Sequence, residues 1–177
     1  MSEWTQPTSV GHITSIPMSM TKSSSTPTKH GGKSPESVLR EELAIQMRGL
    51  WKQTWHETGA VSPGVPDSSY VMNGGGHETG WLELKATREV KPGGAFKWGI
   101  EPSQHQWIEE HEAFVPVHLL LRAGDIHFLV PGARHRDFVA SMTYAQVRIR
   151  SVDVATLSGL RKMLYTHLRA ATDRQRK

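Results

Sequence analysis

The sequence predicts a mixed α/β domain in which helices cover a central β-sheet. Two observations lead to this fold class. Helical and strand-like hydrophobic patterns alternate along the chain in the order helix, strands, helix, strands, helix. The chain has 177 residues, 37% of them hydrophobic and 21% charged, which suffices for one domain with a substantial core.

The first helix is predicted to begin at the segment SPESVLREELAIQMRGL. Ser34 is a good N-cap residue, and Pro35 suits the first helical position because its missing N–H would be unbonded there anyway. An apolar stripe then recurs at helical spacing, formed by Leu39, Leu43, Met47 and Leu50. The stripe predicts a helix that packs one face on the core.

Three acids of this helix take different positions around its axis. Glu36 falls on the apolar stripe, whereas Glu41 and Glu42 fall well away from it. We therefore expect Glu36 to point toward the core side and the other two acids to face solvent. An inward-facing acid is costly unless it has a partner, so Glu36 is a candidate site residue.

A strand–turn–strand unit is predicted next. Residues 61–71 read as an extended segment interrupted by prolines and glycine, and Asn73–Gly76 (NGGG) is a strong turn signal. The segment GWLELKA then has strand-like alternation. Successive strand side chains point to opposite faces, so one face should carry Trp81, Glu83 and Lys85.

The second half of the chain supplies the remaining elements. The segment PSQHQWIEEHEAF predicts a short helix with Ser103 as its N-cap. FVPVHLLL and IHFLV predict two strands joined by a turn at RAGD, and 154–168 predicts a C-terminal helix. Together these segments complete the alternation on which the fold class depends.

Charge and composition divide the chain into three parts: 1–33 as a flexible, Ser/Thr-rich basic arm, 34–168 as the domain, and 169–177 as a basic tail. The net charge of +4 is concentrated at the ends: residues 1–35 carry three lysines and one glutamate, and 161–177 carry six basic residues and one aspartate. Basic ends suit a polyanionic partner, since they neutralise phosphates without reading sequence, although a merely solubilising tail would look the same.

Composition excludes several classes of site and location. The chain has no cysteine, which excludes disulfides and thiolate metal sites. No apolar run is long enough to span a membrane, and no signal or transit peptide is recognisable, so we expect a cytoplasmic protein. The glycine cluster lacks the Gly-Lys-Ser/Thr of a phosphate loop, and the histidine spacing does not favour zinc.

The acids and lysine around the turn suggest a chemistry. Asp67 precedes the turn, and Glu83 and Lys85 follow it on one strand face. Two carboxylates on adjacent strands can share Mg²⁺, which activates water for phosphodiester hydrolysis, and a lysine beside them can stabilise the charge that develops. Glu36 could join them as a further ligand. The alternative is an ordinary surface hairpin with a solvated Glu–Lys face.

The stretches GVPD, GWLELKA and IEPSQHQWIEE resemble the PD-(D/E)XK nuclease superfamily. They are most similar to the virus-type replication–repair nuclease domain and to phage Holliday-junction resolvases, over roughly residues 34–132. The resemblance implies a restriction-endonuclease-like fold, a mixed central sheet flanked by helices. It further implies catalytic roles for Lys85, Glu36 and Gln104, and a metal site formed by Asp67, Glu83 and the carbonyl of Leu84.

The function that this resemblance implies is that of a metal-dependent endonuclease. It would use Mg²⁺, with Mn²⁺ as a substitute, to cut branched DNA such as a Holliday junction or flap during replication, recombination or repair. A phage origin would fit, with the host cytoplasm as its location, and such resolvases act as homodimers. The alternatives are a nuclease for restriction or genome degradation and a DNA-binding module that has lost the chemistry.

The loop TREVKPGGAFKWG departs from the family pattern by its length, which indicates a substrate-specific segment. Its tryptophan lies beside a lysine in a glycine-rich context, a combination that suits contact with nucleic acid. We predict that the nucleic-acid contacts include Arg88, Lys91, Lys97 and Trp98.

Overall fold

The computed structural model describes residues 32–56, 63–73, 79–87, 93–138 and 140–175. In chain order its elements are α1 (Pro35–Gln46), β1 (Trp51–Trp55), β2 (Ser68–Met72), β3 (Thr79–Thr87), β4 (Ala95–Phe96), α2 (Pro102–His111), β5 (Val117–Ala123), β6 (Ile126–Pro131), a 3₁₀-helix (Gly132–Phe138), β7 (Met142–Thr143), α3 (Tyr144–Arg150), β8 (Asp153–Thr156) and α4 (Leu157–Gln175).

Six of the strands in the described part of the chain form the central sheet, in the order β1-β2-β3-β5-β6-β8. The β3–β5 pair is parallel and the other neighbours are antiparallel, so the sheet is mixed. Parallel strands need a crossover connection, and α2 lies in the crossover between β3 and β5. The short strands β4 and β7 pair separately. The predicted mixed α/β class with a central sheet and flanking helices is confirmed.

The central sheet has an apolar cluster on each face. One cluster joins sheet residues such as Leu84 and Leu120 to apolar residues of α1 and α4. The other joins Leu119 and Leu121, which point to the opposite face, to α2, the 3₁₀-helix and α3. Because β3 and β5 contribute to both clusters, their side chains are buried on either side of the sheet, and a polar residue there needs a specific partner.

Local signals predict several element boundaries correctly. Helix α1 begins at Pro35, and the Ser34 hydroxyl accepts a hydrogen bond from the Ser37 N–H at 3.1 Å, as an N-cap does. The predicted strand pair around the RAGD turn is present as β5 and β6. These signals succeed because capping and turn chemistry act within a few residues.

Other boundaries differ from the predictions. Helix α2 begins at Pro102, with Glu101 and not Ser103 at the N-cap, because proline takes the first helical position. Residues 153–156 form strand β8 and not helix, since they pair with β6. Helix α4 then runs to Gln175, so the helix continues past its predicted end at Leu168.

Two predicted features lie outside the described residues. They are the arm, apart from its last two residues, and the NGGG turn beyond Asn73. No helix within the described ranges is long and apolar enough to cross a membrane.

Candidate active site

The face of β3 that meets α2 carries two of the predicted site residues. The Glu83 side chain is fully buried, and the Lys85 side chain is 13% exposed. Leu84 between them points to the other face, into the cluster with α1 and α4. Strand alternation thus places a carboxyl group and an amine side by side on the face of β3 that meets the second apolar cluster.

Asp67 joins them from the start of the neighbouring strand. The β2–β3 ladder pairs Ser68 with Leu82, and continuing it by one residue places Asp67 opposite Glu83 on the same face. Asp67 Oδ2 accepts a hydrogen bond from the Leu84 N–H at 2.9 Å. Its Oδ1 accepts one from the guanidinium of Arg40 on α1. The two carboxylates therefore lie on one face of the sheet, as the strand–turn–strand pattern predicts.

One oxygen of the Glu83 carboxylate has two partners. Lys85 Nζ lies 3.0 Å from Oε1, and Gln104 Nε2 donates a hydrogen bond to the same oxygen at 2.6 Å. The other oxygen, Oε2, is buried without a hydrogen-bond partner among the described residues. A buried carboxylate oxygen without a hydrogen-bond partner costs free energy, and a group of this kind is a candidate for a functional site.

The amide of Gln104 is held in place by the start of α2. The Glu101 N–H donates a hydrogen bond to Gln104 Oε1 at 2.9 Å, which directs the amide nitrogen toward Glu83. The loop before Asp67 packs tightly on this turn, because a Cβ added at Gly64 would lie 2.2 Å from the Ser103 carbonyl oxygen. Gly64 also has a φ of +87°, which favours glycine. Tight packing thus connects the Asp67 loop to the helix that carries Gln104.

The surroundings of Glu83 favour its protonated form. Burial raises the pKa of the Glu83 carboxyl from 4.5 to about 8, and the nearby Asp67 carboxylate adds to the shift, while Lys85 opposes it. Burial alone would lower the pKa of Lys85, but Glu83, Glu36 and Asp67 outweigh it, so the pKa of Lys85 rises above 10.5. Lys85 is therefore a cation at neutral pH, beside an acid that retains its proton unless a further positive charge arrives.

The donor set fits a hard divalent cation. No group of three or more histidine, aspartate or glutamate side chains in the described ranges is arranged to hold a metal. Mg²⁺ needs fewer protein ligands, because it keeps several waters and is bound through one or two carboxylates. The unpartnered Oε2 of Glu83 and the Asp67 carboxylate lie on the same face and can supply these ligands. A cation there would offset the Asp67 charge, which adds to burial in raising the Glu83 pKa. The Leu84 carbonyl stays a predicted third ligand.

Two of the three acids of α1 differ from the prediction, and the third, Glu41, is exposed as predicted. Glu36 is exposed and not turned to the core, although its charge acts on the Lys85 pKa, so it lies at the rim of the site. Glu42 is not solvated as predicted, because its Oε2 lies 3.1 Å from Arg122 Nε and 3.3 Å from His127 Nε2. Sequence reasoning also missed Arg40, which the structure pairs with Asp67; its position one helical turn after Glu36 was the available signal.

The predicted nucleic-acid contacts are only partly described. Arg88 and Lys91 lie outside the described residues, and Lys97 is exposed. Trp98 is only 5% exposed, because it packs into the cluster beneath α2 with its ring edge-on to Phe96 at 4.8 Å between centroids. Its ring faces are therefore covered, and the expectation that this indole is free to stack on a base needs correction.

Comparisons with known proteins find a likeness among solved structures. No family model matches this chain, and no curated protein matches it. Among solved structures, the chain is similar to a Holliday junction resolvase from the archaeal hyperthermophile Archaeoglobus fulgidus, with a TM-score of 0.47 and 10% sequence identity. The similarity covers 71% of this chain and 98% of the resolvase chain. With so little identity, the function has to be argued from the residues of the site itself.

Proposed function

We propose that this protein is a metal-dependent endonuclease of the PD-(D/E)XK type that cuts branched DNA. The observation that carries the proposal is the buried Glu83 carboxylate, which faces Asp67, contacts Lys85 and Gln104, and leaves one oxygen free. A structural ion pair would not be expected to place a second acid beside a carboxyl that is already buried, so that burial and the second acid together raise its pKa to about 8. A site that binds a cation would be expected to place two acids together in this way.

In this proposal Asp67 and Glu83 hold the metal. Mg²⁺ held by these two residues would lower the pKa of a coordinated water and polarise a phosphoryl oxygen. Hydrolysis forms a bond from the water oxygen to phosphorus and breaks the bond from phosphorus to the leaving oxygen, which takes up a proton. Because Lys85 is a cation at neutral pH, its role is to orient the water and stabilise negative charge on the phosphate, and not to remove a proton.

The remaining site residues orient this pair. Gln104 donates to Glu83 Oε1 from a helix start that also packs on the Asp67 loop, so the amide fixes the rotamer of the acid. Arg40 donates a hydrogen bond to Asp67 Oδ1 and so holds this carboxylate at the edge of the site. Glu36, exposed at the rim, is the acid best placed to meet solvent or substrate.

The choice of branched DNA, and of Holliday junctions or flaps in particular, rests on the resemblance of the GVPD, GWLELKA and IEPSQHQWIEE stretches. The similar archaeal protein is itself a Holliday junction resolvase. Action in replication, recombination or repair, a homodimeric state and a phage origin belong to the same proposal. Restriction or genome degradation would use the same site on different DNA, and an inactive binding module would use the fold without cleavage.

The test is cleavage of labelled DNA of several shapes. The protein should cut four-way junctions or flaps with Mg²⁺ or Mn²⁺ and lose this activity in a chelator. Glu83→Gln and Asp67→Asn should abolish cleavage, whereas the matched control Glu110→Gln, on an exposed acid of α2, should cut like the parent. If the parent cuts no DNA of any shape with either metal, the binding-module alternative replaces the nuclease.

A further inference from the structure

Four partly exposed aromatic rings form a continuous series beside the proposed active site. The His56 ring lies 4.9 Å from the Trp81 ring between centroids, and Trp81 lies 4.9 Å from Trp107. Trp107 and His111 are parallel within 3°, with centroids 3.9 Å apart. The rings come from the end of β1, from β3 and from α2, so only the tertiary fold brings them together. We call this set, His56, Trp81, Trp107 and His111, the aromatic row.

The aromatic row begins next to the two acids. Trp81 lies two residues before Glu83 on the same face of β3, a separation of about 7 Å along the strand. The His56 N–H donates a hydrogen bond to the Asp67 carbonyl at 2.8 Å, and the His56 ring contacts the Ser69 hydroxyl at 2.9 Å. A nucleic-acid strand held at the acids would therefore lie close to Trp81, the ring nearest to Glu83 in the sequence of β3.

Core packing alone does not explain why the rings of the row stay partly exposed. The core aromatic residues Tyr70, Phe128 and Phe138 are each less than 2% exposed. Trp81 and Trp107 pack on the cluster beneath α2 but keep part of their surface open to solvent. Partly exposed indoles beside the proposed metal site suit a ligand that is both planar and anionic, and Lys85 and Arg40, each paired with an acid, place positive charge at the same site.

We infer that the aromatic row stacks on unpaired bases of the DNA strand whose phosphate lies at Asp67 and Glu83. This inference rests on the proposed function and narrows its substrate to DNA with unpaired nucleotides next to the cut. Every base has a π face, so stacking tolerates any sequence. In a duplex both faces of each base are covered by neighbours, and only flaps, junction arms that open, or single strands present a base to such a row.

Trp107 is the best residue for the test, because it touches both neighbours in the row and contributes no polar contact to the acids. Trp107→Leu keeps an apolar side chain but removes the ring, and Trp107→Phe keeps a ring. The control Phe114→Leu removes an aromatic ring that is 82% exposed and lies outside the row.

Binding is measured in a chelator with fluorescent oligo(dT) and with duplex DNA of equal length. Trp107→Leu removes the ring on which His111 stacks, and loss of this support for the row should weaken oligo(dT) binding about 5- to 150-fold. Duplex binding should change less than about twofold, since phosphate contacts carry it. Trp107→Phe should recover most of the affinity for oligo(dT), and Phe114→Leu should bind like the parent. The parent supplies a readout that needs no variant: oligo(dT) should quench its tryptophan fluorescence more than duplex DNA does.

The inference is overturned if oligo(dT) leaves the parent's fluorescence unchanged, or if Trp107→Leu loses oligo(dT) and duplex binding in equal measure. It is also overturned if Trp107→Leu changes the oligomeric state while oligonucleotide affinity stays the same, because the row would then cover a protein surface. These outcomes are distinct from failure of the nuclease proposal, which depends on cleavage in Mg²⁺ and not on binding in a chelator.

Discussion

The central sheet buries a group of charged side chains on each of its faces, and the two groups are balanced differently. On the α1 and α4 face, Glu42 lies between Arg122 at 3.1 Å and His127 at 3.3 Å. On the α2 face, Glu83 lies beside a second acid, and its Oε2 has no partner within the described residues. The first group places one acid between two basic side chains, whereas the second places two acids together with one cation each, Lys85 and Arg40, and leaves one oxygen of Glu83 without a partner in the described residues.

This difference separates a structural use of buried charge from a functional one. Leaving a buried charge without its partner is strongly destabilising, so a group that only supports the fold should be closely paired, as Glu42 is. Glu83 is instead buried under conditions that disfavour its charge and raise its pKa to about 8. Such a cost is tolerated where another ligand completes the site. Substitutions in the Glu42 group should therefore change the stability of the fold, whereas substitutions in the Glu83 group should change activity.

The largest expected effect is on the active-site group. Lys85→Ala should lower single-turnover cleavage in Mg²⁺ by about 10²–10³-fold, because in the proposed nuclease Lys85 stabilises charge that develops in the transition state. Binding of branched DNA, measured in Ca²⁺, should change little. The control is Lys162→Ala, on an exposed lysine of α4. Cleavage by Lys85→Ala at the parental rate would make the lysine an ordinary strand-face residue.

The pH dependence of stability tests the charge on Glu83. Its pKa is higher in the folded chain, at about 8, than the ordinary value of 4.5. The folded state therefore holds the extra proton between these values, and the free energy of unfolding should fall as pH rises from 4.5 to 8. In a chelator, Glu83→Gln should remove about 3–4 kcal/mol of this fall, measured by denaturant unfolding at pH 5 and pH 8. Parallel pH profiles for parent and variant would contradict the buried-acid account.

The paired group on the other face should affect stability alone. Glu42→Gln leaves Arg122 opposite a neutral amide and should lower the free energy of unfolding by about 1–3 kcal/mol, measured by denaturant unfolding. Cleavage of DNA by folded protein should be unchanged. Glu41→Gln is the matched control, because Glu41 is an exposed acid paired with Lys33, where about 0.5 kcal/mol or less is expected. A large loss of cleavage in Glu42→Gln would assign this acid to the site.

The smallest effect is expected at a histidine pair between α2 and the 3₁₀-helix. The Nδ1 atoms of His105 and His135 lie 2.7 Å apart. Burial lowers the pKa of both rings below 6.5, and for His135 the neighbouring His105 adds to this. The unfolded chain therefore takes up protons first, and stability should fall as pH drops below 6.5. His135→Gln should flatten that fall in thermal unfolding between pH 7.5 and pH 5, and an unchanged slope would show that the pair does not titrate in this window.

Local chemistry in the sequence determined a substantial part of this protein. Ser34 and Pro35 specify the start of α1, and period-two alternation in GWLELKA specifies which β3 side chains share a face. Together with the turn before β3, that alternation predicts Asp67, Glu83 and Lys85 on one face, as the structure places them. These features were readable because caps, turns and strand alternation depend on residues within a few positions of one another.

Only the tertiary structure decided which charges find partners and which aromatic rings stay open. Arg40 reaches Asp67, Glu42 reaches Arg122, and Trp98 is buried while Trp107 remains partly exposed. Strand β1 likewise exists because it pairs with β2, since its own five residues carry no clear alternation. These outcomes join residues far apart in the chain, and a side chain's partner or exposure is set by whichever element packs against it, which no local pattern contains.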